Sequence, residues 1–142
     1  MKALVLLVVA LSTIKASAET VIDVFSYTKI SIVSIPGTQI TLHDLSRTAA
    51  IEATAPEFPY DPSNPAPTVL ATKTWMQSEA GQQWHRELRE SFKPIEKMYQ
   101  CGISKVPAIA FNKCLYVIYG LTDIKQAVQE YDDYIRKNGA PK

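Results

Sequence analysis

The chain predicts an α/β fold in which short, buried strands alternate with amphipathic helices, and three observations predict it. The β-branched and aromatic run Val21-Ile22-Asp23-Val24-Phe25-Ser26-Tyr27 reads as a mostly buried first strand. Residues 68–100 carry apolar side chains at helical spacing. The last third runs Val106-Pro107, an apolar segment Ala108–Phe111, a tight turn at Asn112-Lys113, a returning strand Cys114–Tyr119, then Gly120 and a final helix.

Composition bounds the function. With 142 residues, 46% hydrophobic and 20% charged, the chain has one domain's length and enough apolar surface to bury a core. Fifteen basic residues against fourteen acidic leave no positive excess to carry nucleic-acid binding by charge. Two cysteines exclude a disulfide-framework miniprotein, a four-cysteine zinc ribbon and a cysteine-ligated iron–sulfur centre.

Residues Met1–Ala18 read as a cleaved secretory signal: Met1-Lys2 is a positive start, Ala3–Ile14 is almost wholly apolar, and Ala16-Ser17-Ala18 suits signal peptidase. The apolar run is short of the ~20 residues that span a bilayer. The expected mature chain, residues 19–142, is a single domain with no transmembrane span. Losing the leader removes Lys2 and Lys15 and no acid, so the small positive balance becomes a small negative one. Export implies an oxidising compartment, in which a disulfide persists.

Along the mature chain, Ile35-Pro36-Gly37-Thr38 is a turn, Ile40–Leu45 a short second strand and Ser46–Ala55 a short helix. Residues 55–67 hold Pro56, Pro59, Pro62, Pro65 and Pro67 and read as a proline-rich surface loop, either a plain connection or a polyproline ligand segment. Thr68–Gln100 reads as one long helix whose apolar face is Met76, Ala80, Trp84, Leu88, Phe92, Ile95 and Tyr99, with Trp75 and Trp84 as core. Pro94 predicts a kink or restart near Ser91–Pro94, and Cys101-Gly102 a stop. Thr122 is placed to cap the last helix, with Asp123 favourable against its dipole. That helix presents Ile124, Ala127, Val128, Tyr131 and Ile135 on one face and ends at Asn138-Gly139.

Few groups suggest catalysis. His43-Asp44 and His85 lack metal-ligand spacing and read as solvated, and the run His85–Glu90 has mixed sign, as an exposed helix face does. No serine elbow or glycine-rich phosphate loop is present, so no catalytic residue, cofactor or metal is assigned.

The C-terminal unit resembles the second half of the thioredoxin fold, where a cis-proline follows an apolar residue, a hairpin comes next and a glycine precedes the last helix. Here those places are held by Val106-Pro107, Phe111-Asn112-Lys113 and Gly120. Val21–Tyr27 resembles the opening strand, but Ser26-Tyr27-Thr28-Lys29 stands where the catalytic Cys-x-x-Cys belongs. The resemblance implies a thioredoxin-like sandwich, a central mixed sheet with flanking helices, without its redox motif.

More closely, the whole mature chain is similar to exported thioredoxin-like proteins encoded in integrating conjugative elements. The similarity is carried by Val24-Phe25-Ser26, by Gly102-Ile103-Ser104-Lys105-Val106-Pro107-Ala108-Ile109 and by Val117-Ile118-Tyr119-Gly120-Leu121-Thr122-Asp123-Ile124. It is also reminiscent of TrbC-type pilus-assembly proteins. This implies a periplasmic accessory or assembly role beside a type IV secretion apparatus, through contacts with its protein components and with extended peptide segments, without direct nucleic-acid binding. It implies no molecular activity.

Within that fold Pro107 is expected to be cis, and Ser26, Tyr27, Val106 and Pro107 become the candidate partner-binding residues, since the bend exposes backbone to an extended peptide. The alternative is that Pro107 only shapes the hairpin. Cys101 and Cys114, 13 positions apart, fall at the pole opposite Pro107 and are expected to form a structural disulfide. The other readings are two free thiols, or the redox pair of a divergent thiol–disulfide oxidoreductase or isomerase.

Overall fold

The computed structural model describes residues 19–140; the predicted leader Met1–Ala18 lies outside them. The elements follow in the order β1 (Thr20–Ser26), β2 (Thr38–Asp44), α1 (Arg47–Glu52), α2 (Ala66–Gln77), α3 (Glu79–Gln100), β3 (Ala108–Phe111), β4 (Tyr116–Tyr119) and α4 (Ile124–Asn138). The strands form one mixed sheet ordered β2-β1-β3-β4, with β1 parallel to β2 and antiparallel to β3, and β3 antiparallel to β4.

Strand pleating sends alternate side chains to opposite faces. On one face Ile22, Val24, Ile109, Phe111 and Ile118 pack against Ile124, Ala127 and Tyr131 of α4. Phe111 stacks on Tyr131 with ring centroids 4.3 Å apart. On the other face Phe25, Ala108 and Ala110 meet Leu45 and Ile103, joined by Ile95 and Met98 from the C-terminal half of α3. The alanines leave room for a helix to lie close on that side.

Parallel neighbours need a crossover of about a dozen residues, and it is usually a helix. Here residues 27–37 make the crossover as an irregular strap. Ile30 and Ile35 pack into the α4-side core in a helix's place. Gly37, at φ 76°, turns the strap into β2, and its carbonyl accepts from Thr20 N at 2.9 Å.

The expected long helix is two helices. Ser78 breaks it with an extended backbone, its hydroxyl donating to the Trp75 carbonyl at 2.6 Å and accepting from Gly81 N at 3.2 Å. It thus closes α2 and caps α3 at once. The helix does not restart at Ser91–Pro94: α3 runs through Pro94, whose missing amide leaves only the carbonyl of the exposed Glu90 without its intrahelical donor. The predicted apolar stripe is also corrected. Steps of four residues drift about 40° each around a helix, so Met76, Ala80, Phe92 and Tyr99 emerge at the surface. The inward face is instead Gly81, Trp84, Leu88, Ser91, Ile95 and Met98, at mixed spacings of three and four.

Other expectations shift by less. The proline-rich loop ends at Pro65, because Pro67 fits the first turn of α2, where an amide has no intrahelical acceptor. The returning strand starts at Tyr116 rather than Cys114, the turn taking up the difference. Asp123, not Thr122, caps α4, accepting from Lys125 N at 2.8 Å and Gln126 N at 3.3 Å. His43 is not solvated: its Nε2 lies 2.7 Å from Asp23 Oδ1, and its ring stacks on Phe25 at 4.5 Å. Their strand positions bring His43 onto the face of Asp23 rather than towards its neighbour Asp44.

Gly81 sits where α3 passes closest to the end of α2; a Cβ there lies 2.1 Å from the Trp75 carbonyl oxygen. Alanine normally stabilises a helix interior by up to ~1 kcal/mol over glycine. Gly81→Ala is therefore expected to do the reverse, destabilising by roughly 1–3 kcal/mol and changing the near-ultraviolet signal of the adjacent tryptophans. A raised Tm with an unchanged spectrum would show that the two helices do not depend on this contact.

Candidate functional site

The register of the central strands determines where the candidate residues lie. Phe25 pairs with Ala108, so the next step brings Ser26 beside Pro107. The Val106–Pro107 peptide is cis. Gly120 N donates to the Pro107 carbonyl at 2.9 Å, tying the bend to the end of β4, and Tyr119 pairs with Ala108. On the other side Ser26 pairs with Asp44, and Leu45 N donates to the Ser26 carbonyl at 3.0 Å. The four predicted residues are thus brought together at one pole of the sheet.

Their roles differ. Ser26 is buried, and its hydroxyl is committed to a local turn: Oγ accepts from Thr28 N at 3.0 Å and lies 3.1 Å from Thr28 Oγ1. That turn lifts the chain off the sheet and leaves Tyr27 60% exposed. Val106 and Pro107 are half-buried. The amide and carbonyl of Val106 make no hydrogen bond to another described residue. The site therefore offers free backbone and aromatic surface.

Two residues of this pole escaped the sequence reading. Tyr119, 48% exposed, flanks the bend from β4; the readable signal was an aromatic immediately before the helix-preceding glycine. Asp44 adds a fixed negative charge. Its carboxylate accepts from the Ser46 hydroxyl at 2.6 Å and from Ser46 N at 2.9 Å. These bonds, helped by nearby Arg47 and Lys29, hold it below the ordinary carboxylate range.

The cysteines are at the far pole. Cys101 ends α3, Cys114 lies in the β3–β4 turn, and the two are joined as a disulfide with Cα atoms 5.4 Å apart. Asn112, Lys113 and Cys114 take left-handed φ values of 48°, 59° and 68°, uncommon for non-glycine residues. Three elements hold that turn in place. Asn112 N donates to the Val21 carbonyl at 2.8 Å, its side-chain amide donates to the Tyr131 hydroxyl at 2.7 Å, and the disulfide binds it to α3. The length of β3, about 13 Å, lies between the sulfurs and the proline bend. The geometry makes the bridge a staple, remote from the proline bend.

A family model described as "Protein of unknown function (DUF1525)" matches residues 18–137. No curated protein and no solved structure matches the chain.

Two outcomes follow from these groups. Alkylation of the purified protein without reductant should leave Cys101 and Cys114 unlabelled, and replacing both with serine should lower stability by ~3 kcal/mol in urea, the expected value for so short a loop; full labelling would remove the staple. Asp44, with its pKa depressed in the fold, stabilises above the unfolded carboxylate value, and that contribution disappears as pH falls through the folded one. The urea midpoints of the wild type and Asp44→Asn should therefore differ at about pH 7 and converge near pH 2; a gap independent of pH would contradict the assigned cause.

Proposed function

The chain belongs to the DUF1525 family, and we propose that this member is a thioredoxin-like sandwich that has kept a docking pole without the redox motif. We infer that it works as a periplasmic accessory or assembly component of the type IV secretion system of an integrating conjugative element, through protein contacts. The observation that carries the reading is the cis Val106–Pro107 bend, with unpaired backbone at Val106, between the exposed rings of Tyr27 and Tyr119. An extended partner segment is recognised by main-chain hydrogen bonds to such backbone and by side-chain contact with the flanking aromatics.

Several features support the parts of this reading. The strand order β2-β1-β3-β4, with the proline bend opening β3, is compatible with the sandwich. A disulfide persists in exported proteins and is rare in reducing compartments, which supports export. Among the described residues no helix is long and apolar enough to cross a membrane. The near-neutral charge favours protein partners over nucleic acid.

Deleting the gene from a donor cell should lower mating frequency and pilus formation together. Complementation with Tyr27→Ala/Tyr119→Ala should fall at least about tenfold short of the wild type, as losing paired aromatic anchors does. Complementation with Cys101→Ser/Cys114→Ser should restore transfer wherever the protein accumulates. Normal transfer after deletion would end the assembly reading. Insulin reduction that depends on the cysteines would favour a divergent thiol–disulfide oxidoreductase using Cys101 and Cys114.

A further inference from the structure

The two tryptophans of the chain line one hollow, which shares no lining residue with the docking pole. Its volume is about 380 Å³, and its walls include Pro56, Trp75, Ala80, Gln83, Trp84 and Glu87. Trp84 is fixed by its indole N–H, which donates to the Ile51 carbonyl at 3.0 Å. Trp75 is backed by Phe58 at 6.2 Å. The two indole planes are inclined at 60° with centroids 5.4 Å apart, which makes a corner rather than a flat stack. Such a corner lets one compact group lie within the ~6 Å cation–π reach of both rings.

The charged residue that lines the corner is Glu87. On α3, Gln83 and Glu87 line the hollow, while His85, Arg86 and Arg89 line other hollows. Glu87 is oriented by Gln83, whose amide donates to it at 2.8 Å, and it forms no ion pair with another described residue. No cationic side chain lines the hollow. The Thr54 hydroxyl is already donated to the Ile51 carbonyl.

We propose that this hollow binds an organic cation of the trimethylammonium class. Ring faces attract positive charge through their quadrupole, and Glu87 adds a carboxylate with no competing partner. A guanidinium gripping Glu87 through both oxygens would compete with the Gln83 amide for Oε1, whereas a quaternary ammonium donates no hydrogen bonds and leaves that bond intact. Ala80 keeps the wall low beside the corner, and Pro56 adds apolar lining. This site goes beyond the docking role and does not depend on it.

Both tryptophans report directly on the hollow, so the emission of the exported protein is the readout. Titration with choline should give a saturable change with millimolar affinity. The neutral isostere 3,3-dimethylbutan-1-ol should bind at least about tenfold more weakly. Glu87→Gln, on an exposed side chain, should weaken choline several-fold with the circular dichroism unchanged. Phosphatidylcholine vesicles at equal headgroup concentration distinguish the source: a matching response assigns a lipid headgroup, and a response to free choline alone assigns a soluble cation. An equal response to choline and the alcohol would overturn the site and leave the aromatic cluster as packing only. The same holds for no saturable change up to about 50 mM.

Discussion

The antiparallel pairing of β1 with β3 is the constraint on which the rest of the molecule depends. These two central strands supply Ile22, Val24, Phe25, Ile109 and Phe111, all fully buried. A slip of one residue would turn every one of these side chains to the wrong face, so burial on both sides specifies the register strongly. That register sets both ends of the molecule. It places Ser26 beside Pro107 at one pole, and at the other it lets Asn112 exchange hydrogen bonds with Val21.

The two poles are built for different work. At the disulfide pole an uncommon left-handed turn is held by backbone, side-chain and covalent bonds from β1, α4 and α3. Losing any one contact leaves the others to hold its shape. At the proline pole the balance is reversed. Local turns and the Gly120 bond position the chain, but Val106 backbone and two tyrosine rings remain uncommitted. The proline pole thus joins a fixed frame to unpaired Val106 backbone.

Beyond the sheet, α3 has a double life. Its C-terminal half covers the alanine-lined face, and its N-terminal half stands with α1, α2 and the segment after α1. No residue of α2 is buried. The position of α2 follows from Ser78 and the close approach at Gly81, together with the contact between Trp75 and Trp84. The long helix expected from spacing failed for this reason. A four-residue stripe does not make one face of a helix: its drift carries Phe92 and Tyr99 to the surface, and the seam runs through Gly81 and Ser91. Small residues at a helix seam look like weak helix formers in sequence, and only the neighbouring backbone shows why they are small.

Much of the rest was legible. The β-branched density of residues 21–26, the order Val-Pro, hairpin, glycine and helix, and the positions of the cysteines rest on local chemistry and chain order, which a sequence displays. So did the composition of the proline pole, apart from Tyr119 and Asp44, which enter it by strand register and by the Ser46 hydrogen bonds. The strap in place of a crossover helix, the His43–Asp23 pair and the tryptophan corner belong wholly to the tertiary structure. Each brings together residues distant in the chain or depends on which way a turn sends it. Local preference determines what a segment becomes; which side chains then share a space is decided by burial, because only the packed core chooses among the registers and helix rotations that local preference leaves equal.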